Sequence, residues 1–255
     1  MTKHSVLRFL WYLAAVPRCA VCEEPLGAEE IMRGYRGSDI LCPVCRAEWE
    51  REKLELCDIC GLPAMDCRCM PDALRESGAE KLICLGGYTA ETAVGRMILR
   101  MKRIRLRRAA AFAAAQLTPG IMRELAANNI SPDTVTVTWA PRTKKAKRKC
   151  GHDQAELLAR ALAGELGCAC EPLILRCRES REQKKLSEEE RKENVQAVFT
   201  ANPKYSLTGK AVLLVDDVVS SGMTLGQTCG ILLSAGARHV LCAALGRSRL
   251  RKNQK

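Results

Sequence analysis

Val212-Leu-Leu-Val-Asp-Asp-Val-Val-Ser-Ser-Gly-Met-Thr-Leu225 is the stretch whose reading decides the fold. Val212 to Val215 is a continuous aliphatic run behind the turn pair Gly209-Lys210, the composition of a central strand in a parallel sheet covered on both faces. Asp216 and Asp217 fall at its carboxyl end, the edge where open parallel α/β sheets bind ligands. Ser220, Ser221, Gly222 and Thr224 follow, ahead of an apolar-periodic helix from Leu225 to Leu233 that stops at Ala235-Gly236. Free amides, three hydroxyls and the positive end of a helix dipole converge there, which suits a phosphate. Two acids repel an anion, so they must serve something neutral or cationic attached to it, such as vicinal sugar hydroxyls or a magnesium ion. A ribose 5-phosphate meets both demands. The competing reading is a strand ending in a solvated turn, where Asp, Ser and Gly are ordinary. The site reading stands only if the acids face a ligand and a cradle of amides lies beyond them.

That stretch is similar to the phosphoribosyl pyrophosphate (PRPP) binding motif of the type I phosphoribosyltransferases, with Ser220-Ser221 where that family usually has Thr-Thr. The hydroxyls survive the change.

Outward from this strand, 255 residues that are 47% hydrophobic suffice for one α/β domain with a proper core and a smaller module. No apolar run reaches the roughly 18 residues that span a bilayer. The N-terminal run Phe9 to Val16 is cut by Pro17-Arg18 and reads as a short helix rather than a leader. Fifteen cysteines, eight of them in paired spacings, indicate metal-bound thiolates in a reduced, cytoplasmic setting. The formal charge is +12. Eight thiolates and two zinc ions would lower it to about +8, still basic enough to expect an anionic partner.

Cys19-x-x-Cys22 and Cys42-x-x-Cys45, nineteen residues apart, have the spacing of a zinc ribbon whose two knuckles share one tetrahedral ion, with Gly34-Tyr35-Arg36-Gly37 turning between two short strands. The helical stretch Arg46 to Leu56 leads to a second set, Cys57, Cys60, Cys67 and Cys69. Disulfides or plain buried thiols are the alternative. Four-thiolate zinc accounts better for a module so poor in aromatics, and neither set keeps an open position, so both ions are read as structural.

Cys84 to Tyr88 reads as a first strand and Ala90 to Gln116 as one long helix carrying Arg96, Arg100, Lys102, Arg103, Arg105, Arg107 and Arg108 without an acid after Arg96. Similar acid-free runs recur at 142–149 and 247–255, and suit either a solvated face or nucleic-acid binding. Val135 to Trp139 is a strand, closed by Ala140-Pro141-Arg142. Asp153 and Glu156 form a capping box for a helix from Gln154 to Leu166. Pro172 to Leu175 and Val195 to Thr200 are further strands, joined by a charged segment that is either a lid or a surface excursion.

Together these features resemble the ComF family, competence-associated proteins with an N-terminal double zinc ribbon fused to a phosphoribosyltransferase-like domain. The resemblance rests on the paired cysteines, a basic stretch before Gly151-His-Asp-Gln-Ala-Glu-Leu-Leu-Ala159, Gln183-x-x-Leu186, Arg191-x-x-Asn194-Val195 and the Val212–Leu225 loop. Where the family usually has Phe-Asn, this chain has His152-Asp153, and His152 reads as a surface turn residue rather than a base.

The resemblance implies an α/β fold of the type I phosphoribosyltransferase kind. The helix and double zinc ribbon would occupy residues 1–77, and the transferase-like domain residues 78–255. It implies PRPP with Mg2+ as ligand. Ser220, Ser221, Gly222 and Thr224 would hold the 5-phosphate, Asp216 and Asp217 the ribose hydroxyls as the catalytic pair, and Arg142 and Lys144 the pyrophosphate. A closing Lys184-Lys185 loop would join them, and electrostatic stabilisation of the leaving group would drive transfer. Two classes of function follow. One is a PRPP-dependent pentosyl (glycosyl) transferase acting on a base or nucleotide. The other is a zinc-stabilised adaptor that binds single-stranded DNA during DNA uptake, with competence or recombination proteins as partners. With ten aromatic residues, base stacking contributes little to any such binding.

Overall fold

In the computed structural model, the described residues are 17–27, 40–104, 106–143, 147–148, 150–177 and 198–248. The expected N-terminal helix, the turn at Gly34 to Gly37, Lys144, Arg105, the Lys184-Lys185 segment with its neighbouring motifs, and the tail from Arg249 lie outside them.

Five strands form one all-parallel sheet: β1 (Lys81–Gly87), β2 (Val135–Trp139), β3 (Ala169–Cys170), β6 (Ala211–Val219) and β7 (His239–Arg247). Their spatial order is β1-β7-β6-β2-β3, which puts β6 at the centre with every carboxyl end on one rim. Alternate side chains of β6 enter two separate cores, Leu213 and Val215 one and Val212 and Leu214 the other, as a strand covered on both faces requires.

One face is covered by four helices: α1 (Pro43–Lys53), α3 (Ala93–Arg103), α4 (Arg107–Ala127) and α5 (Gln154–Leu166). The other carries α2 (Asp72–Glu76), α6 (Met223–Ser234) and a separate antiparallel ribbon of β4 (Ile174–Arg176) and β5 (Phe199–Ala201). The two strands expected near 172–200 thus leave the main sheet altogether.

β2 and α5 lie where the sequence puts them, but the single helix expected over 90–116 is two. α3 ends at Ile104, whose backbone is extended at φ −134°, ψ 150°, and α4 restarts at Arg107 and continues past Pro119. The expected capping box of α5 does not form either. Asp153 is the N-cap residue but makes no side-chain cap. Its carboxylate accepts instead from the Arg142 amide at 3.3 Å and pairs with Lys147 at 3.1 Å.

The cysteine-rich module is bound into the same body. Buried Cys19, Leu26, Leu41, Cys45 and Trp49 belong to the core that contains Ile83 and Leu213, and Trp49 meets Phe112 edge-on with ring centroids 5.1 Å apart. Glu52 of α1, buried, accepts from the amides of Ala93 at 2.6 Å and Val94 at 3.1 Å, so a carboxylate of the module caps the N-terminus of α3. Arg100 donates to the Cys19 carbonyl and pairs with Glu23 at 3.0 Å, while Arg96 pairs with Glu48. These two arginines, read from sequence as part of a basic run suited either to a solvated face or to nucleic acid, hold the module in place.

Candidate functional site

β6 does not end before its acids. The ladder with β7 pairs Asp216 with Ala244, Val218 with Gly246 and Val219 with Arg247, so both aspartates sit inside the last turn of pleat at the carboxyl rim. Asp216 Oδ1 accepts the Asp217 amide at 2.8 Å, and Asp217 Oδ1 accepts the Val218 amide at 2.9 Å. Burial pushes the Asp216 carboxyl well above the usual carboxylate range, and the neighbouring Asp217 charge pushes it further.

This shift has a stability consequence. A carboxyl whose pKa is raised by folding binds more proton in the native state, so its contribution is complete at acid pH and is lost as pH rises through the native value. We expect Asp216→Asn to melt higher than the parent at pH 8, with the gap narrowing toward pH 4. Parallel melting curves across that range would contradict the raised Asp216 carboxyl.

Asp217 is ion-paired. Its Oδ2 lies 2.6 Å from Arg142 Nη2 and 3.7 Å from Lys102 Nζ, with 9% of its side chain exposed. Arg142 comes from the segment after β2, where the pyrophosphate contact is expected. Lys102 comes from the last turn of α3, where its ammonium also stands 5.1 Å from the Tyr88 ring centroid. Sequence reasoning placed Lys102 on a solvent-facing stripe. Nothing local marks it, because its partner lies on a distant strand.

Beyond the acids the chain turns through exposed Ser220 and Ser221 into Gly222, the N-cap of α6, at φ +75°. That conformation favours glycine, and a glycine cannot cap with a side chain. The Ser221 hydroxyl reaches the Met223 amide only at 3.5 Å. The 12-residue helix therefore starts at the rim with no side-chain cap from Gly222, its first turn flanked by exposed Ser220, Ser221 and Thr224. The structure thus pairs one acid of the two with cations, and the N-cap residue of α6 beyond them makes no side-chain cap. A groove of about 770 Å3 runs along α6 between Ala73, Phe199, Gly226 and Gly230, and reaches this loop only at Met223.

The eight paired cysteines form two clusters, Cys19, Cys22, Cys42 and Cys45, and Cys57, Cys60, Cys67 and Cys69, each with its sulfurs within 4.8 Å of one another. Sulfurs 2.3 Å from a tetrahedral zinc stand about 3.8 Å apart, and Cys22 and Cys42 are separated by 3.7 Å. Each cluster can hold one zinc. All fifteen cysteines are free thiols, so the disulfide alternative is not realised. The antiparallel bridges Arg18–Pro25 and Leu56–Pro63 close the first knuckle of each cluster.

His152 sits in the bend before α5 and is partly buried, with Nε2 2.8 Å from the Met101 carbonyl and 3.2 Å from Gln154 Nε2, so this turn residue also fastens the end of α3. Of the expected basic runs, Arg103, Arg107 and Arg148 are exposed, while Lys147 is held by Asp153 and Arg247 by Cys69.

A family model described as Phosphoribosyl transferase domain matches residues 152–255. A DNA utilization protein YhgH of Salmonella typhi is 31% identical over 215 residues, 80% of this chain and 91% of its own. The chain belongs to the YhgH family. The YhgH protein of Escherichia coli K12 is 26% identical over 89% of this chain and 97% of its own. Among solved structures, a purine phosphoribosyltransferase from Pyrococcus horikoshii covers 56% of this chain and 76% of its own, at 17% identity and a TM-score of 0.31, too low to carry any argument. The fold of this YhgH relative is phosphoribosyltransferase-like, a parallel five-stranded sheet flanked by helices, with cysteine clusters that fit an N-terminal zinc ribbon. No helix among the described residues is long and apolar enough to cross a membrane.

Proposed function

We propose that the chain is a ComF-like protein that binds PRPP, or a related ribose phosphate, with Mg2+ at the rim of β6. The observation that carries this reading is the uncapped start of α6, with Gly222 and three hydroxyls, directly after the paired acids of a central strand. The 5-phosphate sits on the amides of that turn. Asp216 and Asp217 take the ribose hydroxyls or the magnesium ion. Arg142 and Lys102, already beside Asp217, face the pyrophosphate, and Lys144, which lies outside the described residues, is the further cation expected from the sequence. Binding then exchanges the cations of Asp217 from carboxylate to ligand, which costs less than desolvating them afresh. In this reading two zinc ions hold the first 77 residues as a structural module, and residues 78–255 carry the ligand site. Stabilisation by PRPP with Mg2+ that vanishes in the Asp216→Ala plus Asp217→Ala variant supports it. No shift at millimolar PRPP removes it.

The relatives' printed name, DNA utilization protein, supports a role with DNA, and we read that role as DNA uptake in a reduced cytoplasm, the setting that fifteen cysteines with no disulfide suggest. Single-stranded DNA would meet the exposed cations Arg103, Arg107 and Arg148. The logarithm of affinity should then fall with the logarithm of salt at about −0.7 per phosphate neutralised. A flat salt response, or unchanged binding after charge removal at those three positions, counts against the DNA role and leaves the ribose phosphate site untouched. Transfer to an acceptor is the further step, and the base or nucleotide that would attack is the natural target of a search by mass among co-purifying small molecules.

A further inference from the structure

The second cysteine cluster does not sit apart from the ligand rim. Cys69 is followed at once by Met70 and Pro71, and Pro71 to Leu74 lie on the first two turns of α6. A Cβ built on Gly222 would fall 2.8 Å from Pro71 Cβ and 3.3 Å from Leu74 Cβ. One built on Gly226 would fall 2.5 Å from the Ala73 carbonyl oxygen. Only glycine at both positions allows so close an approach. Leu74 is fully buried in the core that contains Leu225, and the Cys229 thiol donates to the Ser77 carbonyl at 3.8 Å.

The other end of this strap is fixed from the sheet. Arg247, the last residue of β7 and the register partner of Val219, donates to the Cys69 carbonyl at 2.8 Å and to Cys67 Sγ at 3.1 Å. A four-thiolate zinc carries a net charge of −2, so a guanidinium on one sulfur is the outer partner such a site calls for. The contacts of the first cluster run elsewhere, through Cys19 and Glu23 to Arg100 on α3.

We propose that the second cluster and the anion-binding loop are coupled: metal held by Cys57, Cys60, Cys67 and Cys69 fixes the Pro71–Leu74 strap, and the strap fixes Gly222 and the start of α6. The proposal rests on the reading of that loop as a phosphate site. Coupling between two sites is reciprocal, so ligand on the loop must hold the metal more tightly by the factor with which the metal tightens the ligand.

The test is equilibrium competition for zinc between the full-length, zinc-loaded protein and a zinc-selective chelator, with and without saturating PRPP and Mg2+. We expect one of the two ions to be held at least about fivefold more tightly with PRPP, the lower end of ordinary coupling, and the affinity for the other to be unchanged. Cys22→Ser, which damages only the first cluster, should keep the PRPP-tightened ion. Pro71→Ala, which keeps all eight thiols, should shrink the tightening and weaken PRPP binding by a similar factor. If calorimetry shows PRPP bound but both ions are held as tightly as before, or both are tightened equally, the coupling is overturned and the ligand site stands. If PRPP does not bind at all, the ligand site is overturned and the coupling with it.

Discussion

Removing zinc from both cysteine clusters should unfold the N-terminal module and bring Trp49 into water. The module has little core of its own: among its described residues, Trp49 is its one buried aromatic, and its ring rests on Phe112 of α4. Zinc in a four-thiolate site contributes on the order of 10 kcal/mol to folding, while whole domains are stable by roughly 5–15 kcal/mol. Losing two such sites therefore exceeds what the rest of the module can supply. The damage should spread, because Glu52 and the partners of Arg96 and Arg100 are the groups that pin α3. Metal analysis should find two zinc ions per chain. Chelation should then red-shift the part of the fluorescence that is absent in Trp49→Phe and lower the melting temperature steeply. Fewer than one zinc per chain, or chelation that leaves Trp49 emission unchanged, would contradict the assignment of both clusters as structural metal sites.

The second large effect concerns the ligand. A ligand at a hundred times its Kd stabilises the native state by about 2.7 kcal/mol, and a chain of this size gains about 2–4 °C per kcal/mol. Saturating PRPP with Mg2+ should raise the melting temperature by several degrees. Asp216→Ala plus Asp217→Ala should abolish that rise, and any rise with ribose 5-phosphate, because the acids hold the ribose hydroxyls or the magnesium. Pyrophosphate should fare differently. Removing Asp217 frees Arg142 and Lys102 from their carboxylate, 2.6 and 3.7 Å away in the parent, so pyrophosphate binding should persist or tighten. Equal loss of both ligands would mean that the double variant has disordered the rim instead of removing specific contacts.

The parts of this architecture that local chemistry controls were legible in the sequence. The aliphatic run before Asp216 gave a central parallel strand, the Gly222 turn gave the start of α6, and the cysteine spacings gave two four-sulfur clusters. What escaped was set by distant partners. No glycine or proline marks the break at Ile104, between two segments that share helical composition. The capping box failed because Lys147 and the Arg142 amide outcompete the first-turn amides of α5 for Asp153. Basic residues on α3 looked like a stripe for an external anion, yet Arg96 and Arg100 answer acids and carbonyls of the module, and Lys102 answers Asp217. Charge in a sequence tells its sign but not its partner. Across the loop, the closeness of Pro71 to Gly222 follows from how the second cluster docks on the sheet, and no spacing announces it.

A structure of the protein with ribose 5-phosphate or PRPP and Mg2+ tests the central claim most directly. The phosphate should lie within hydrogen-bond reach of the amides at the start of α6 and the hydroxyls of Ser220, Ser221 and Thr224, with the ribose hydroxyls or magnesium at Asp216 and Asp217. A phosphate bound instead in the groove along α6 or on the exposed arginines, with Asp217 still closed on Arg142, would contradict it.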